Sequence, residues 1–454
     1  MTKKADAGRL SDTERSAFLS SMRRTAAPQP PRTAAVVAPV RDVSFETLPG
    51  FKMLKTQRAA ADLLGLSNPF YQTHATRAGA QSIIGNRPVV NFASYDYLGL
   101  NGHPEITAAV AEAAAEWGTS VSASRLTAGE RPFHQQFEAE LAALYETEDA
   151  LVFVGGHATN VSTIAALLTP KDLVIHDALA HNSIVVGAEL SKANRRIFPH
   201  NDLDALEAIL ETARDKHERC LIVTEGLFSM DGDGPDLARL VDIKTRWGAW
   251  LMMDEAHSLG VLGATGRGIF EHQGVDPRGV DIWMGTLSKT LVGCGGYIAG
   301  SSDLITYLKF QAPGMVYSVG LPATTSIGSM TALRIMRREP ERVARLQANG
   351  QRFLEKARAA GLDTGDSWGY AVSPVVLGDS LRTVMLAGRL LERGINAFPI
   401  IPPGVPEKSA RLRFFISASH TAEDIDTAVA AVTEEIARLD AEGVSVAKVA
   451  DLMK

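Results

Sequence analysis

The sequence has 454 residues, of which 45% are hydrophobic and 22% are charged, a composition typical of a globular protein with a large core. The net charge of −6 and the isoelectric point near 6.0 argue against a nucleic-acid partner. With only Cys220 and Cys294 it supports neither a disulfide framework nor a cysteine-based metal site, so we expect no metal and a reducing, cytoplasmic setting. No apolar run approaches the roughly 20 residues that span a bilayer, which leaves only peripheral membrane contact open.

The first 45 residues differ from the rest of the chain. Ser11-Asp-Thr-Glu14 is a capping box that predicts a short helix, and residues 26–40 are rich in Pro, Ala and Thr, as in a linker. We therefore predict a mobile N-terminal extension over 1–45, followed by an N-terminal segment over 46–100. In that segment a helical pattern covers about 50–66, and residues 91–99 predict a strand that runs into a turn.

Short β-rich runs then alternate with amphipathic helical stretches. The predicted strands cover 150–154, 173–176, 220–224, 250–253 and 281–284, and the predicted helices cover 160–168, 203–214 and 237–247. This alternation indicates an α/β fold whose mainly parallel sheet is buried on both faces, in a large domain over 101–324. A smaller α+β domain over 325–440 has predicted helices at 330–338 and 342–359 and strands at 372–377 and 411–416, and 441–454 form a tail.

Lys289 follows the last of these strands, in Gly285-Thr-Leu-Ser-Lys289. An isolated lysine is ordinarily a solvated surface residue. Here small and hydroxyl residues surround it at the carboxyl edge of the sheet, where ligands of such folds bind. Desolvation at that place lowers the pKa of an amine and makes it a nucleophile toward an aldehyde.

Asp254 and His257 follow another apolar strand, in Met252-Met-Asp-Glu-Ala-His257. A carboxylate at a strand end can simply cap the next turn. Pyridoxal phosphate, however, needs a carboxylate against its ring nitrogen, because an ionised partner keeps that nitrogen protonated and lets the ring accept electrons. Asp254 suits this role, and His257 is placed to bond the ring oxygen.

Other polar groups also follow strands. Val154-Gly-Gly-His-Ala-Thr-Asn160 offers backbone N–H groups to a phosphate at a helix start, although an ordinary turn explains the glycines equally well. Ser229 and Thr286 add hydroxyls at two further strand ends. His181 has a flat ring suited to stacking on an aromatic cofactor. The alternative interpretation is that this histidine is purely structural. Strand alternation places Arg411 and Arg413 on one face, so either can hold a carboxylate by a two-pronged bond or form a surface ion pair.

Together these segments resemble the α-oxoamine synthase family of fold-type I pyridoxal-phosphate enzymes. The resemblance covers roughly residues 50–440 and depends on three runs in register: Thr224-Glu-Gly-Leu-Phe-Ser-Met-Asp-Gly232, Asp254-Glu-Ala-His257 and Thr286-Leu-Ser-Lys289. It implies the fold of that family, with a smaller C-terminal domain, and a pyridoxal 5'-phosphate cofactor.

The resemblance also implies a role for each site residue. Lys289 forms the Schiff base and removes the α-proton, Asp254 pairs with the ring nitrogen, His257 with the ring hydroxyl, and His181 stacks on the ring. The remaining cofactor contacts implied are backbone N–H groups of Gly156 and His157 and the hydroxyls of Ser229 and Thr286. Arg413 is the implied ligand of the substrate carboxylate.

Two positions depart from the common family pattern. Where many members have several hydroxyls that reach the phosphate of the neighbouring subunit, this chain has Tyr317-Ser-Val-Gly320, which leaves Ser318 alone for that contact in an expected homodimer. An asparagine often found near the substrate is replaced by Asp96.

The implied reaction joins a small amino acid to an acyl thioester with loss of carbon dioxide. The Asp254-Glu-Ala-His-Ser run is most like serine palmitoyltransferase-like members and synthases attached to polyketide lines, so we favour serine with a long acyl chain. Glycine or alanine stays open, as does a donor carried on an acyl carrier protein instead of coenzyme A. The alternatives are an aminooxononanoate synthase-like or polyketide-releasing synthase, an aminotransferase or decarboxylase, and a non-catalytic partner subunit.

Overall fold

The computed structural model describes residue 13, residues 44–63 and residues 65–447. The predicted linker over 26–40 and, apart from Thr13, the capping box over 11–14 lie outside the described residues. The described residues form two units, which divide after Gly65. In the first, a single 3-10 turn at Phe45–Thr47 precedes helix α1, Pro49–Leu63. The second unit contains everything described from Leu66 onward.

The second unit is built on a seven-stranded sheet. In spatial order its strands are β3 (Asp149–Phe153), β9 (Gly296–Gly300), β8 (Ile282–Thr286), β7 (Trp250–Asp254), β6 (Cys220–Glu225), β4 (Leu173–Asp177) and β5 (Asn194–Phe198). Strands β4 to β8 run parallel to one another, whereas β9 is antiparallel to both of its neighbours. The predicted mainly parallel sheet is therefore confirmed.

The two faces of this sheet are buried in separate clusters, as strand alternation requires. Ile222 and Met253 point into the cluster on one face, whereas Val223 and Met252 point into the cluster on the other. All four side chains are fully buried. This explains why the strands are apolar throughout rather than alternating, and why the polar residues that follow them stand out.

Helices cover both faces of the sheet and form much of the C-terminal region. They are α2 (Pro104–Trp117), α3 (Pro132–Tyr145), α4 (Gly156–Leu167), α5 (Asn182–Ser191), α6 (Leu203–Ala213), α7 (Leu237–Arg246), α8 (Ile269–Gln273), α9 (Ser302–Gln311), α10 (Pro313–Val316), α11 (Ala323–Arg338), α12 (Glu341–Ala359), α13 (Ser380–Glu392) and α14 (Ala422–Glu442). Several begin at a side-chain cap: the carboxylates of Asp202 and Asp236 accept from the backbone of Ala205 and Arg239, at 2.9 and 3.0 Å.

Two three-stranded sheets complete the unit. The first contains β1 (Gln81–Ile84), β2 (Arg87–Asn91) and β11 (Ile395–Asn396), and the second contains β10 (Val372–Val376), β13 (Arg411–Phe415) and β12 (Phe398–Ile400). Because β11 pairs with β2, the strands before residue 100 join the C-terminal region directly. The domain limits that we drew at 100, 324 and 440 stay predictions.

Within the described residues every predicted strand and helix except one lies close to an observed element, although several observed elements, such as α2, α3 and α13, were not predicted. The strand predicted over 91–99 is wrong, because the strand of that region is β2 and ends at Asn91. Strand β5 was not predicted, since as an edge strand it contains Asn194, Arg195 and Arg196 and lacks an apolar run. Strand β9 was also not predicted, because its glycines hide its pattern. Among the described residues, no helix is long and apolar enough to cross a membrane.

Candidate active site

Lys289 lines a pocket of about 480 Å³. The lining combines polar residues, among them His74, Thr76, Asn101 and Ser288, with apolar ones such as Val292. A larger cavity, about 750 Å³, lies at the opposite edge of the seven-stranded sheet, where β7 and β8 begin. We take the smaller pocket as the candidate active site, because Ser288 and Lys289, which follow the carboxyl end of β8, line it.

Lys289 lies three residues after β8 and is partly buried. Burial lowers the pKa of its amine to about 8, although the carboxylates of Asp254 and Glu225 act in the opposite direction. Its Nζ is 5.8 Å from the centre of the Tyr95 ring. About a tenth of this amine is therefore uncharged at pH 7 and can attack an aldehyde.

Asp254 ends β7 and is 4% exposed. Its Oδ1 accepts a hydrogen bond from the backbone of Ala256 at 2.9 Å, and its Oδ2 accepts one from the side-chain Nδ2 of Asn160 at 2.8 Å. Among the described residues no lysine or arginine forms an ion pair with it. A buried carboxylate of this kind fits a cationic ring nitrogen, which would supply the missing charge.

His181 lies at the N-cap of α5 and its side chain is accessible to solvent. The Nδ1 atom is 2.7 Å from Ser183 Oγ, and the backbone N–H of Ser183 donates to it at 3.2 Å. Its own backbone N–H donates to Glu225 Oε1 at 2.6 Å. Burial, and next the charge of Asp254, raise the pKa of Glu225 well above its usual value, which favours the neutral acid.

His257 is 6% exposed and is held from two sides. Its Nδ1 is 2.7 Å from the hydroxyl of Tyr97, and its ring is stacked on Phe415 with centres 6.0 Å apart and planes 19° apart. Burial lowers the pKa of His257 well below its usual value and raises that of Tyr97. Both groups are therefore neutral, and if Tyr97 donates its O–H, His257 keeps a proton on Nε2 to donate to a ring oxygen.

Gly156 and His157 begin α4, so their N–H groups are among the free donors of the first helical turn. A Cβ added to Gly156 would lie 2.8 Å from Thr286 Oγ1, which explains glycine at this position. Thr286 donates to the carbonyl of Gly295 at 3.0 Å and is 2.7 Å from Ser288 Oγ. The structure thus brings the predicted phosphate-binding groups of two strand ends together.

Arg413 and Arg411 project from the same face of β13 but have different partners. Arg411 forms an ion pair with Asp231 at 2.5 Å. Arg413 is 8% exposed, and its NH1 donates to the carbonyl of Ser229 at 3.2 Å, while its Nε has no hydrogen-bond partner. Among the described residues no carboxylate pairs with Arg413. Only Arg413 is therefore free to bind an incoming carboxylate.

Ser229 and Ser318 are placed differently. The backbone carbonyl of Ser229 accepts a hydrogen bond from Arg413, so this residue lies beside the proposed carboxylate ligand. Ser318 lies between α10 and α11 and is flanked by the exposed side chains of Tyr317 and Val319. In the described part of one chain, no hydrogen bond joins Ser318 to another predicted site residue.

Sequence reasoning missed four side chains that organise this site: Tyr97, Asn160, Ser183 and Glu225. Asn160 had a usable signal, because it follows Gly156 by four residues and therefore projects from the same face of α4. Tyr97 had none, since its partner His257 is 160 residues away in the chain. Asp96, which we noted as a departure, lines the pocket and also caps a turn: its carboxylate accepts from the backbone of Leu100 at 2.8 Å.

The comparisons agree with this geometry. Residues 87–432 match the family described as aminotransferase class I and II. The 8-amino-7-oxononanoate synthase of Symbiobacterium thermophilum is 38% identical over 390 residues, covering 86% of this chain and 96% of that protein. The structure of serine palmitoyltransferase from Sphingomonas wittichii superimposes with a TM-score of 0.82 at 29% identity, covering 88% of this chain and 99% of that one. The chain belongs to the α-oxoamine synthase family.

It is accordingly a pyridoxal-phosphate-dependent acyltransferase with the fold-type I architecture. A third relative, the 4-hydroxy-2,2'-bipyrrole-5-methanol synthase of a Serratia species, is 39% identical over 345 residues, which cover 76% of this chain and 52% of that protein. The site residues fit the cofactor on structural grounds, since an amine of lowered pKa, a buried unpaired carboxylate and a glycine-led helix start all border one region.

Proposed function

We propose that this synthase joins serine to an acyl thioester and releases carbon dioxide, a free thiol and an α-amino ketone. The observation that supports this most is the proximity of two basic side chains, since burial and then the charge of Arg413 lower the pKa of Lys289. Lys289 has an amine whose pKa is lowered to about 8, whereas Arg413 is a buried cation without a carboxylate partner. An amino acid offers the amine and the carboxylate that such a site requires.

Each side chain has a distinct task in this proposal. When bound, pyridoxal phosphate supplies an aldehyde and a ring that withdraws electrons from the α-carbon. Lys289 would hold the cofactor through its amine, and its Nζ is the group placed to accept the α-proton of the substrate. Asp254 keeps the proton on the ring nitrogen, and His257 donates to the ring oxygen.

The remaining site residues bind or orient. His181 covers one face of the ring, Gly156 and His157 donate backbone N–H groups to the phosphate, and the hydroxyls of Ser229 and Thr286 add polar contacts. Arg413 binds the substrate carboxylate, which fixes the direction of the α-proton relative to Lys289.

Serine is favoured because hydroxyl and amide groups line the pocket that contains Lys289. The lining includes Thr76, Asn101 and Ser288, which offer hydrogen-bond partners to a substrate hydroxyl. Alanine is the second candidate, on a different observation: the relatives named 8-amino-7-oxononanoate synthase make a product whose amine adjoins a terminal methyl carbon, as a condensation of alanine would give.

The proposal extends to the acyl donor and to assembly. We favour a long acyl chain on a carrier protein over the coenzyme A thioester, since the Asp254-Glu-Ala-His-Ser run resembles that of synthases attached to polyketide lines. We also propose a homodimer in the cytoplasm, because Ser318 lies beside exposed Tyr317 and Val319 and would reach a phosphate only from a neighbouring subunit.

A substrate panel tests the proposal. Serine, alanine and glycine are each incubated with palmitoyl and pimeloyl thioesters, on coenzyme A and on a carrier protein, and the products are identified by mass spectrometry. We expect the serine and palmitoyl pair to give the highest kcat/KM, and Lys289→Ala to abolish ketone formation. A larger kcat/KM with alanine and the pimeloyl thioester would replace serine by alanine as the substrate.

Two further results separate the rivals. Product without any thioester would indicate an aminotransferase or decarboxylase instead of a synthase. A rate with coenzyme A thioesters equal to or above that with carrier-protein thioesters would refute the proposed donor.

A further inference from the structure

Four polar side chains form one continuous chain of hydrogen bonds beneath the candidate cofactor site. It runs from Asp254 Oδ2 to Asn160 Nδ2 at 2.8 Å, from Asn160 Nδ2 to Ser183 Oγ at 2.9 Å, and from Ser183 Oγ to His181 Nδ1 at 2.7 Å. Asn160 and Ser183 are each 1% exposed. The chain links α4, α5 and β7, and it connects the two residues proposed to bind opposite parts of the cofactor ring.

The chemistry of Asp254 fixes the direction of every donor in this chain. A carboxylate only accepts hydrogen bonds, so the amide of Asn160 must turn its NH₂ group toward Asp254. That group has a second N–H, which donates to Ser183 Oγ. The hydroxyl proton of Ser183 is then left to donate to His181 Nδ1, which also receives the backbone N–H of Ser183 at 3.2 Å.

We infer that Asn160 and Ser183 are positioning residues that lock Asp254 in place and hold His181 as the neutral imidazole with its proton on Nε2. Two donors point at Nδ1, so this atom has no room for a proton of its own. His181 can therefore donate a hydrogen bond from Nε2 toward a cofactor or substrate oxygen, but cannot accept a proton there. The reversed amide of Asn160 would place its oxygen against the carboxylate of Asp254, which excludes the opposite arrangement.

This inference rests on the proposed roles of Asp254 and His181. It is tested by a measurement that does not require turnover, so a failure of this inference is distinguishable from a failure of the proposed function. The ring nitrogens of His181 are observed by ¹⁵N NMR in the holoenzyme with labelled histidine, and His181→Gln assigns their signals. The charged and titratable groups that face this ring are Asp254, Lys289 and His157, with Glu225 at its backbone. These four groups stay unchanged in every variant.

Ser183→Ala and Asn160→Ala are the test variants, and Thr163→Val is the matched control. Thr163 lies one turn after Asn160 on α4, is fully buried and has no hydrogen-bond partner for its hydroxyl among the described residues. Ser183→Thr keeps the hydroxyl and should restore the wild-type behaviour. Thermal unfolding of each variant separates loss of fold from loss of positioning.

At neutral pH we expect an unprotonated Nδ1 and a protonated Nε2 in the wild type and in Thr163→Val. Ser183→Ala should titrate about one pH unit higher, because Nδ1 loses a donor worth about one hydrogen bond and becomes available to a proton. Asn160→Ala should shift the pH dependence of the cofactor absorbance and lower kcat about tenfold, with KM nearly unchanged. A proton on Nδ1 in the wild type, or wild-type titration and absorbance in both test variants, would overturn the inference.

Discussion

The sharpest prediction concerns the two arginines of β13. Arg413→Met should weaken binding of the amino acid, whereas Arg411→Met should destabilise the fold. Both side chains are replaced by an unbranched apolar one on the same face of the same strand, so each substitution is the control of the other. The difference between them is the ion pair of Arg411 with Asp231, which Arg413 lacks.

The magnitude follows from the contacts. A charged hydrogen-bonded contact of the kind proposed between Arg413 and the substrate contributes about 2–3 kcal/mol, which corresponds to a fall of about 30- to 160-fold in kcat/KM for the amino acid. The free Arg413→Met protein should be as stable as the wild type or more so, because removing a buried cation without a carboxylate partner relieves its desolvation. Arg411→Met leaves Asp231 without its cation and should cost about 1–3 kcal/mol of the free energy of unfolding.

The assay combines steady-state kinetics over a range of amino acid concentrations with urea unfolding of each variant. Lysine at position 413 is a useful intermediate, because it keeps the charge but loses the planar fork, and it should recover part of the affinity. The reasoning would be refuted if Arg411→Met raised KM for the amino acid as much as Arg413→Met does, or if Arg413→Met were the less stable of the two.

Three further predictions test other parts of the site. His200 forms hydrogen bonds with Asp177 and Asp233, each at 2.9 Å, and these raise the pKa of its imidazole to about 10 against the opposing effect of burial. The stability that His200 adds relative to His200→Gln, measured by thermal unfolding, should be complete below pH 6.5 and lost as the pH rises toward 10. Because Glu225 is protonated, the isosteric Glu225→Gln should keep cofactor affinity within about threefold, whereas Glu225→Asp should weaken it by loosening the backbone of His181; similar loss in both would contradict a neutral Glu225. Gly156→Ala should raise the dissociation constant of pyridoxal phosphate, since the new Cβ meets Thr286 Oγ1; unchanged affinity would mean that this turn does not bind the phosphate.

Much of the fold was predictable because its signals are local. Burial on both faces makes the parallel strands apolar throughout. The polar residues Asp254 and Lys289 lie at the end of such a strand or shortly after it, so they are easy to recognise in the sequence. Strand β9 was not predictable, since its glycines are selected by close packing: a Cβ at Gly296 would lie 2.4 Å from Thr159 Oγ1. That crowding is visible only when the sheet is assembled.

The site was predictable only as far as single residues reveal their chemistry. The sequence indicates that Arg411 and Arg413 share a face, but their division of labour depends on Asp231, which lies 180 residues earlier. In the same way Asn160 and Ser183 show no sign of their role until α4 and α5 bring them to Asp254. Contacts between residues that are far apart in the chain cannot be predicted from local sequence patterns.

The loop from Phe228 to Asp233 is held by contacts with His200 and with strand β13. Its backbone closes on itself, with the N–H of Phe228 donating to Asp233, while His200 holds one end and the arginines of β13 hold Ser229 and Asp231. Residues 228–233 and 411–415 consequently depend on each other's contacts and act as one structural unit. A chimaera that exchanges the C-terminal region for that of a relative with another amino acid preference will need to bring this loop with it.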